Sequence, residues 1–176
     1  MNQDKIGMEN SSALSEPESA RATQVRSVLQ NLRRVFRSIQ AHSRWVEKQC
    51  GVSSAQLWAI WELSTQPGLR VSDLSIIMSI HQSTASNMLD KLEDKGLVRR
   101  ERRGPDQRVV HLYLTDEGTR LLANAPRPAQ GALTHALQQV SDEALAQLDT
   151  GLEQLIRSMD ADENEAGLEP LTGRDL

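Results

Sequence analysis

The sequence predicts a mainly α-helical protein carrying one small β-hairpin, and three observations lead there. Apolar residues recur at three- and four-residue spacing on both sides of residues 99–115, which is the period of a helix with one buried face. Within 99–115 the period changes to two: Val110, Leu112 and Leu114 alternate with His111 and Tyr113, and basic residues flank a Gly104-Pro105-Asp106 turn just ahead of them. Gly96 stops the helix before this stretch, so the chain passes directly from helix into hairpin.

The elements follow in order. Residues 1–19 mix Asn, Ser, Glu and Gln without periodicity and include Pro17, which predicts a disordered arm. Val25, Val28, Leu29, Leu32, Val35, Phe36, Ile39 and Val46 mark a long amphipathic helix, assigned to 20–50 and ending near Cys50-Gly51. Ser53 or Ser54 caps a second helix through Leu57, Ile60 and Leu63, which Gln66-Pro67-Gly68 stops. Ser72 is expected to cap a short helix carrying Leu74 and Ile77. After a break at 79–81, residues 82–95 form a helix that buries Ala85, Met88, Leu89 and Leu92. Thr115 caps the helix after the hairpin, and Asp116 and Glu117 suit its positive end. Pro126 and Pro128 are expected to kink or interrupt that helix. Ser141 caps the last one, whose stripe Leu145, Leu148, Leu152, Leu155, Ile156 and Met159 is apolar on one side only, and residues 161–176 form an acidic tail.

Composition narrows the functional classes. A chain of 176 residues with 38% hydrophobic content suits one domain with helical extensions. No run of 18 apolar residues occurs and the N-terminus has no apolar signal core, so a cytoplasmic location without membrane attachment is expected. One cysteine, Cys50, excludes an internal disulfide framework and a cysteine-based zinc site. The net charge of −4 conceals a division along the chain. Residues 21–48 hold seven basic residues against one acid, residues 91–108 seven against four, and residues 115–176 four against twelve. Solvated helix faces explain the first of these segments as well as a polyanion does; on a protruding hairpin tip the polyanion is the better explanation.

In the helix from Gln82, the positions between the buried ones are Ser83, Thr84, Ser86, Asn87 and Lys91. Small polar and basic side chains on one face match what base edges in a DNA major groove display, whereas bulky apolar ones would block approach. With the hairpin that follows, the order of elements is that of a winged helix-turn-helix over 51–115, flanked by dimerisation helices at 20–50 and 116–160. The flanking stripes are longer than one reader domain can cover, which predicts a homodimer.

These residues resemble the MarR family of transcriptional regulators. The likeness runs through Val71-Ser72-Asp73-Leu74, Ser83-Thr84-Ala85-Ser86, Leu92-Glu93-Asp94-Lys95-Gly96-Leu97-Val98, Asp106-Gln107-Arg108 and Leu112-Tyr113-Leu114-Thr115-Asp116-Glu117-Gly118, and covers roughly residues 25–160. It implies a dimeric repressor bound to double-stranded DNA until a small molecule releases it. Carried onto this chain, it places Ser83, Thr84, Ser86 and Asn87 in the major groove, Lys91 near the DNA backbone and Arg108 in the minor groove; Gln82 and Arg102 are further candidate DNA-binding residues, and Arg103 on the hairpin tip is expected to meet phosphates. Asp106 matches the family's wing acid, and Ser72 would cap the helix that crosses the DNA backbone. Asn87 stands where many members carry arginine.

Aromatic or phenolic ligands lodge near the junction of dimer helices and reader in this family, which makes His42, Arg44, Trp45, Trp58 and Trp61 the candidate ligand residues. No cofactor is expected. Thiol-based redox sensing through Cys50 is one alternative, weakened by a helix C-terminus that raises thiol pKa. A metal site is not expected, since His42, His81, His111 and His135 lie on four different elements. No phosphate-cradling glycine loop, nucleophile–base pair or dinucleotide fingerprint occurs, so an enzyme is not expected and no catalytic residue is assigned. A winged helix used as a protein-docking module is the other alternative; such modules often lose the wing arginines and polar reader face that this chain keeps.

Overall fold

The computed structural model describes residues 16–102 and 109–159, and its elements run α1 (Glu16–Cys50), α2 (Ser54–Thr65), α3 (Val71–Ile77), α4 (Gln82–Asp94), β1 (Val98–Arg102), β2 (Val110–Leu114), α5 (Asp116–Asn124), α6 (Ala132–Leu137) and α7 (Asp142–Ser158). Packing divides the chain into two units, with the boundary between Phe36 and Arg37 inside α1.

α1 begins at Glu16, so residues 16–19 are helical where an arm was expected. Pro17 lies in the first turn, where a missing N–H costs nothing, and the Ala20-Arg21-Ala22 stretch behind it has high helix propensity. Propensity, not apolar periodicity, sets that start. The other end matches expectation: Gly51, at φ +65°, closes α1 and donates its N–H to the Glu47 carbonyl at 2.9 Å.

α2 lies at the centre of the core. Leu57, Ala59, Ile60 and Leu63 are buried together with Leu74 of α3, Leu89 and Leu92 of α4, and Leu112 of β2. Each large aliphatic side chain so buried contributes about 1.5–3 kcal/mol. Ser53 caps α2 in a reciprocal box: its hydroxyl accepts the Gln56 N–H at 3.2 Å, and the Gln56 side chain accepts the Ser53 N–H at 3.0 Å. α3 departs from expectation. Its cap position is Arg70, whose N–H donates to Asp73 Oδ2 at 3.2 Å, while Ser72 is the second helical residue and caps nothing. A carboxylate at the third helical position satisfies the orphan donor and complements the dipole better than a hydroxyl would.

β1 and β2 pair antiparallel from Val98 opposite Leu114 to Arg102 opposite Val110. β2 has a further partner on its other edge that the sequence reading did not anticipate. Gly68 donates its N–H to the Leu112 carbonyl at 2.9 Å, Leu112 donates to the Leu69 carbonyl at 2.9 Å, and His111 Nδ1 donates to the Gly68 carbonyl at 2.8 Å. The hairpin is thereby fastened to the α2–α3 connection, and His111 is half-buried for that reason instead of facing water.

The strand exit is locked by Thr115. Its hydroxyl donates to the Gly96 carbonyl at 2.6 Å and accepts the Gly118 N–H at 3.0 Å, and its own N–H donates to the Leu97 carbonyl at 3.1 Å. Beyond it, the expected single interrupted helix is two helices: α5 stops at Asn124, Pro126 and Pro128 follow, and α6 starts only at Ala132. α7 is capped by Ser141, whose hydroxyl accepts the Ala144 N–H at 3.3 Å, and no residue of it is buried.

Candidate nucleic-acid interface

The turn between α3 and α4 sets the reader helix. Ser79 sits at φ +52°, and the Ile80 N–H reaches back to the Ser75 carbonyl at 3.0 Å, which folds the chain sharply into α4. Ala85, Met88, Leu89 and Leu92 then anchor one face of α4 in the core, as the apolar spacing predicts. Gln82, Ser83, Asn87 and Lys91 are exposed, and Thr84 and Ser86 half-exposed, on the remaining surface. Their side chains form no hydrogen bond or ion pair within the described residues, so these donors and acceptors stay available to an outside partner. Ser72 is half-buried on α3, with Oγ 3.4 Å from Asp73 Oδ1.

Two of the acids of α4, Asp90 and Glu93, are paired from the hairpin. Arg100 Nη1 of β1 lies 2.7 Å from Asp90 Oδ1 and 2.8 Å from Glu93 Oε2. Arg99 is engaged by Glu101 and lies over the Tyr113 ring, 5.1 Å from its centroid, while Arg102 is exposed at the strand end. The tip itself, with Arg103, Asp106 and Arg108, lies outside the described residues. Just past the same end of α4, Lys95 Nζ donates to the Gly51 carbonyl at 2.5 Å and links the reader to the α1–α2 joint. Arg100 and Lys95 were not singled out from sequence. Their signal was the i, i+3 pair of acids on α4 facing a basic strand.

A cavity of about 230 Å³ opens behind the reader turn. Its walls are Ile39, His42 and Ser43 of α1, Ser54, Ala55 and Trp58 of α2, the Met78–Ile80 turn, and residues 130–134 before and within α6. Of the five candidate ligand residues, His42 and Trp58 wall this cavity; Arg44, Trp45 and Trp61 do not. Trp45 is 48% exposed and meets His42 edge to face, with ring centroids 6.0 Å apart. The Trp58 indole N–H donates to the buried Glu62 carboxylate at 2.7 Å. His42 Nε2 and Ser54 Oγ are buried at this wall with no hydrogen-bond partner among the described residues. Burial lowers the His42 pKa, and the Pro128 carbonyl opposes that effect by bonding the ring. Residues 130–134 are a further wall that sequence reasoning missed; the Pro126, Pro128 and Gly131 cluster was its only sign.

Cys50 is half-buried beside Glu117 and Arg120 of α5. Its thiol pKa is raised by burial, the same direction expected from the helix end but from a different cause. Among the described residues no group of three or more His, Cys, Asp or Glu side chains is placed to hold a metal ion. No helix among them is long and apolar enough to cross a membrane.

A short helix, a tight turn, a second helix with a free polar face and a basic hairpin define a winged helix-turn-helix of the kind that regulates transcription by binding DNA. The MarR family profile matches residues 52–110. The chain is 28% identical over 145 residues to the transcriptional repressor MdtR of Bacillus subtilis (strain 168), covering 82% of this chain and 94% of that protein. It is 31% identical over 94 residues to the transcriptional regulator HosA of Escherichia coli O157:H7, covering 53% of this chain and 68% of that protein. In three dimensions it resembles Streptococcus pneumoniae FabT, solved in complex with DNA, with a TM-score of 0.51 and 23% identity over 77% of this chain and 97% of that one; this likeness concerns the fold. The protein belongs to the MarR family of DNA-binding transcriptional regulators.

Proposed function

We propose that this regulator is a homodimeric repressor that reads a two-fold symmetric operator and releases it when a small molecule fills the cavity behind the reader turn. The observation that carries the reading is the surface of α4: a face of free donors and acceptors, Gln82, Ser83, Thr84, Ser86 and Asn87, on a helix whose opposite face is locked in the core. Lys91 and Arg102 would meet phosphates at its edges. Arg103, Asp106 and Arg108 remain assigned to the wing contact from sequence, and Ser72 to the helix beside the backbone. Repression agrees with the name that MdtR carries, and action on DNA agrees with a cytoplasmic protein.

Exposed apolar faces support the dimer. Val25, Val28, Leu29, Val35 and Phe36 of α1 are 37–50% exposed, and Leu145, Leu148, Leu152, Leu155 and Ile156 of α7 are 40–46% exposed. Stripes of this length left in water are an association hazard, and a second copy of the same chain covers them symmetrically. The cavity supports ligand response because one of its walls, the Met78–Ile80 turn, leads directly into the start of the reader helix.

Selecting duplexes from a random pool tests this reading. Enriched sequences should contain two inverted half-sites about 34–36 Å apart between centres. The bound species should sediment as a dimer, and replacing Leu152 and Leu155 together with Asp should give folded monomers that no longer shift the selected duplex. Enrichment of a single half-site by a monomer contradicts the proposal.

A further inference from the structure

We propose that charge on the first and last helices selects the partner of each subunit: the basic stripe of α1 lies beside the acidic stripe of α7 from a second copy, with the two helices antiparallel. The chain thereby pairs with itself in preference to chains of a different charge pattern. This rests on, and deepens, the reading of α1 and α7 as dimerisation helices. The basic excess of residues 21–48 has no part in the reader surface.

A helix turns about 100° per residue, so residues four and seven apart share a face. In α1, Arg26 and Arg33 are spaced at seven, and Arg37, Arg44 and Lys48 at seven and four. All are exposed, and none forms an ion pair among the described residues; Arg26 donates to the Thr23 hydroxyl at 2.9 Å and keeps its charge. In α7, Asp142, Asp149 and Glu153 repeat the spacing of seven and four, and all are exposed. Glu153 meets Arg157 at 3.3 Å in an exposed pair, weak enough to be exchanged for another. Both stripes stay exposed within one subunit, so the pairing is between copies.

The sense of rotation decides what each stripe can meet. Counted in the direction the chain turns, the charged stripe follows the exposed apolar one by about a third of a turn in α1 and about a quarter of a turn in α7. Two such helices packed apolar face to apolar face carry their charged stripes on the same flank when they run antiparallel, and on opposite flanks when they run parallel. Antiparallel packing of α1 on α7 therefore sets base beside acid. The same packing of α1 on α1, or of α7 on α7, sets like charges together, which repel. Ion pairs at an exposed flank add little affinity and much selectivity, as flanking charges do in coiled coils.

The test reverses each stripe in the full chain. Arg33→Glu with Arg37→Glu makes α1 acidic, and Asp149→Lys with Glu153→Lys makes α7 basic, while the apolar faces stay intact. Sedimentation should show each variant dimerising at least about tenfold more weakly than the native chain. An equimolar mixture should recover a dimer of near-native affinity, which native mass spectrometry identifies as mixed, because mixing restores opposite charges at both α1–α7 contacts. Circular dichroism checks the fold of each variant. Should either fail to fold, Arg33→Gln with Arg37→Gln takes its place: added salt should weaken the native dimer more steeply than this one, and equal salt dependence overturns the proposal. Homodimers of both variants as tight as the native one, or mixed dimers at only the statistical half, overturn it too. So does an Arg33→Glu, Arg37→Glu protein that dimerises normally but binds every duplex more weakly, since the stripe would then be a DNA contact. The homodimer reading is judged separately. A native chain that stays monomeric removes both, whereas a dimer split by Leu152→Asp with Leu155→Asp but indifferent to charge reversal keeps that reading and removes only this proposal.

Discussion

Arg100 bridges to Asp90, Nη1 to Oδ1 at 2.7 Å, and so fastens the first strand of the hairpin to the solvent side of the reader helix. Asp90 stands three and seven residues beyond Asn87 and Ser83, on the same helical face, where an unpaired carboxylate would oppose DNA phosphates. Masking that carboxylate would favour DNA binding without Arg100 itself touching DNA. Arg100→Gln should weaken binding to any duplex, and adding Asp90→Asn should recover part of the loss. Both side chains are partly exposed, so the stability change should stay within about 1 kcal/mol. Anisotropy titrations on the two variants check this; a loss without rescue by Asp90→Asn makes Arg100 a direct phosphate contact instead.

Gly118 is required by the close approach of α5 to the hairpin. A Cβ there would overlap the Leu97 carbonyl oxygen, whose position is fixed by the Thr115 N–H. Gly118→Ala should destabilise by about 1–3 kcal/mol through overpacking, despite alanine's higher helix propensity. Urea unfolding measures it, and an unchanged or raised midpoint would show that α5 has room to shift.

His42 makes stability depend on pH in one direction. Its folded pKa is lowered by burial, while in the unfolded chain it titrates near the ordinary value of about 6.5. Below that value the unfolded chain takes up a proton that the folded chain resists, so stability is full above it and declines as pH falls toward the folded pKa. The acid-side decline of the melting temperature should be shallower in His42→Gln than in the native protein. Parallel curves would mean that His42 is not buried as described.

Cys50 should stay a thiol at neutral pH, because burial raises its pKa. A disulfide reagent such as Ellman's should react with it more slowly than with free cysteine, and Cys50→Ser should bind and release DNA as the native protein does. Peroxide-driven release that the variant lacks would restore the redox alternative.

Much of this fold was legible in the sequence because the decisive signals are local. Gly96 and the apolar spacing of Ala85, Met88, Leu89 and Leu92 set α4, and Thr115, Asp116 and Glu117 set the start of α5. The start of α1 is not legible in the apolar pattern because helix propensity continues where that periodicity stops. The cap of α3 is ambiguous in the sequence because Asp73 competes with Ser72 for the same role. Interactions between distant segments left no periodic trace: the Gly68–Leu69 edge beside Leu112, the Lys95 bond to Gly51, and the cavity wall at 130–134. For the same reason His42 and Trp58 could be nominated from the sequence together with Arg44, Trp45 and Trp61, but only packing separates the first two from the rest.

The reader surface of α4 is tested most directly by fluorescence anisotropy on two duplexes of equal length, one selected from a random pool and one scrambled. If Asn87 reads a base edge, Asn87→Ala costs roughly 1–3 kcal/mol on the selected duplex and almost nothing on the scrambled one. If Arg102 meets a phosphate, Arg102→Ala should weaken both alike and reduce the slope of log affinity against log salt by about one. Loss of equal size on both duplexes for Asn87→Ala, or no loss on either, would contradict base reading by this helix.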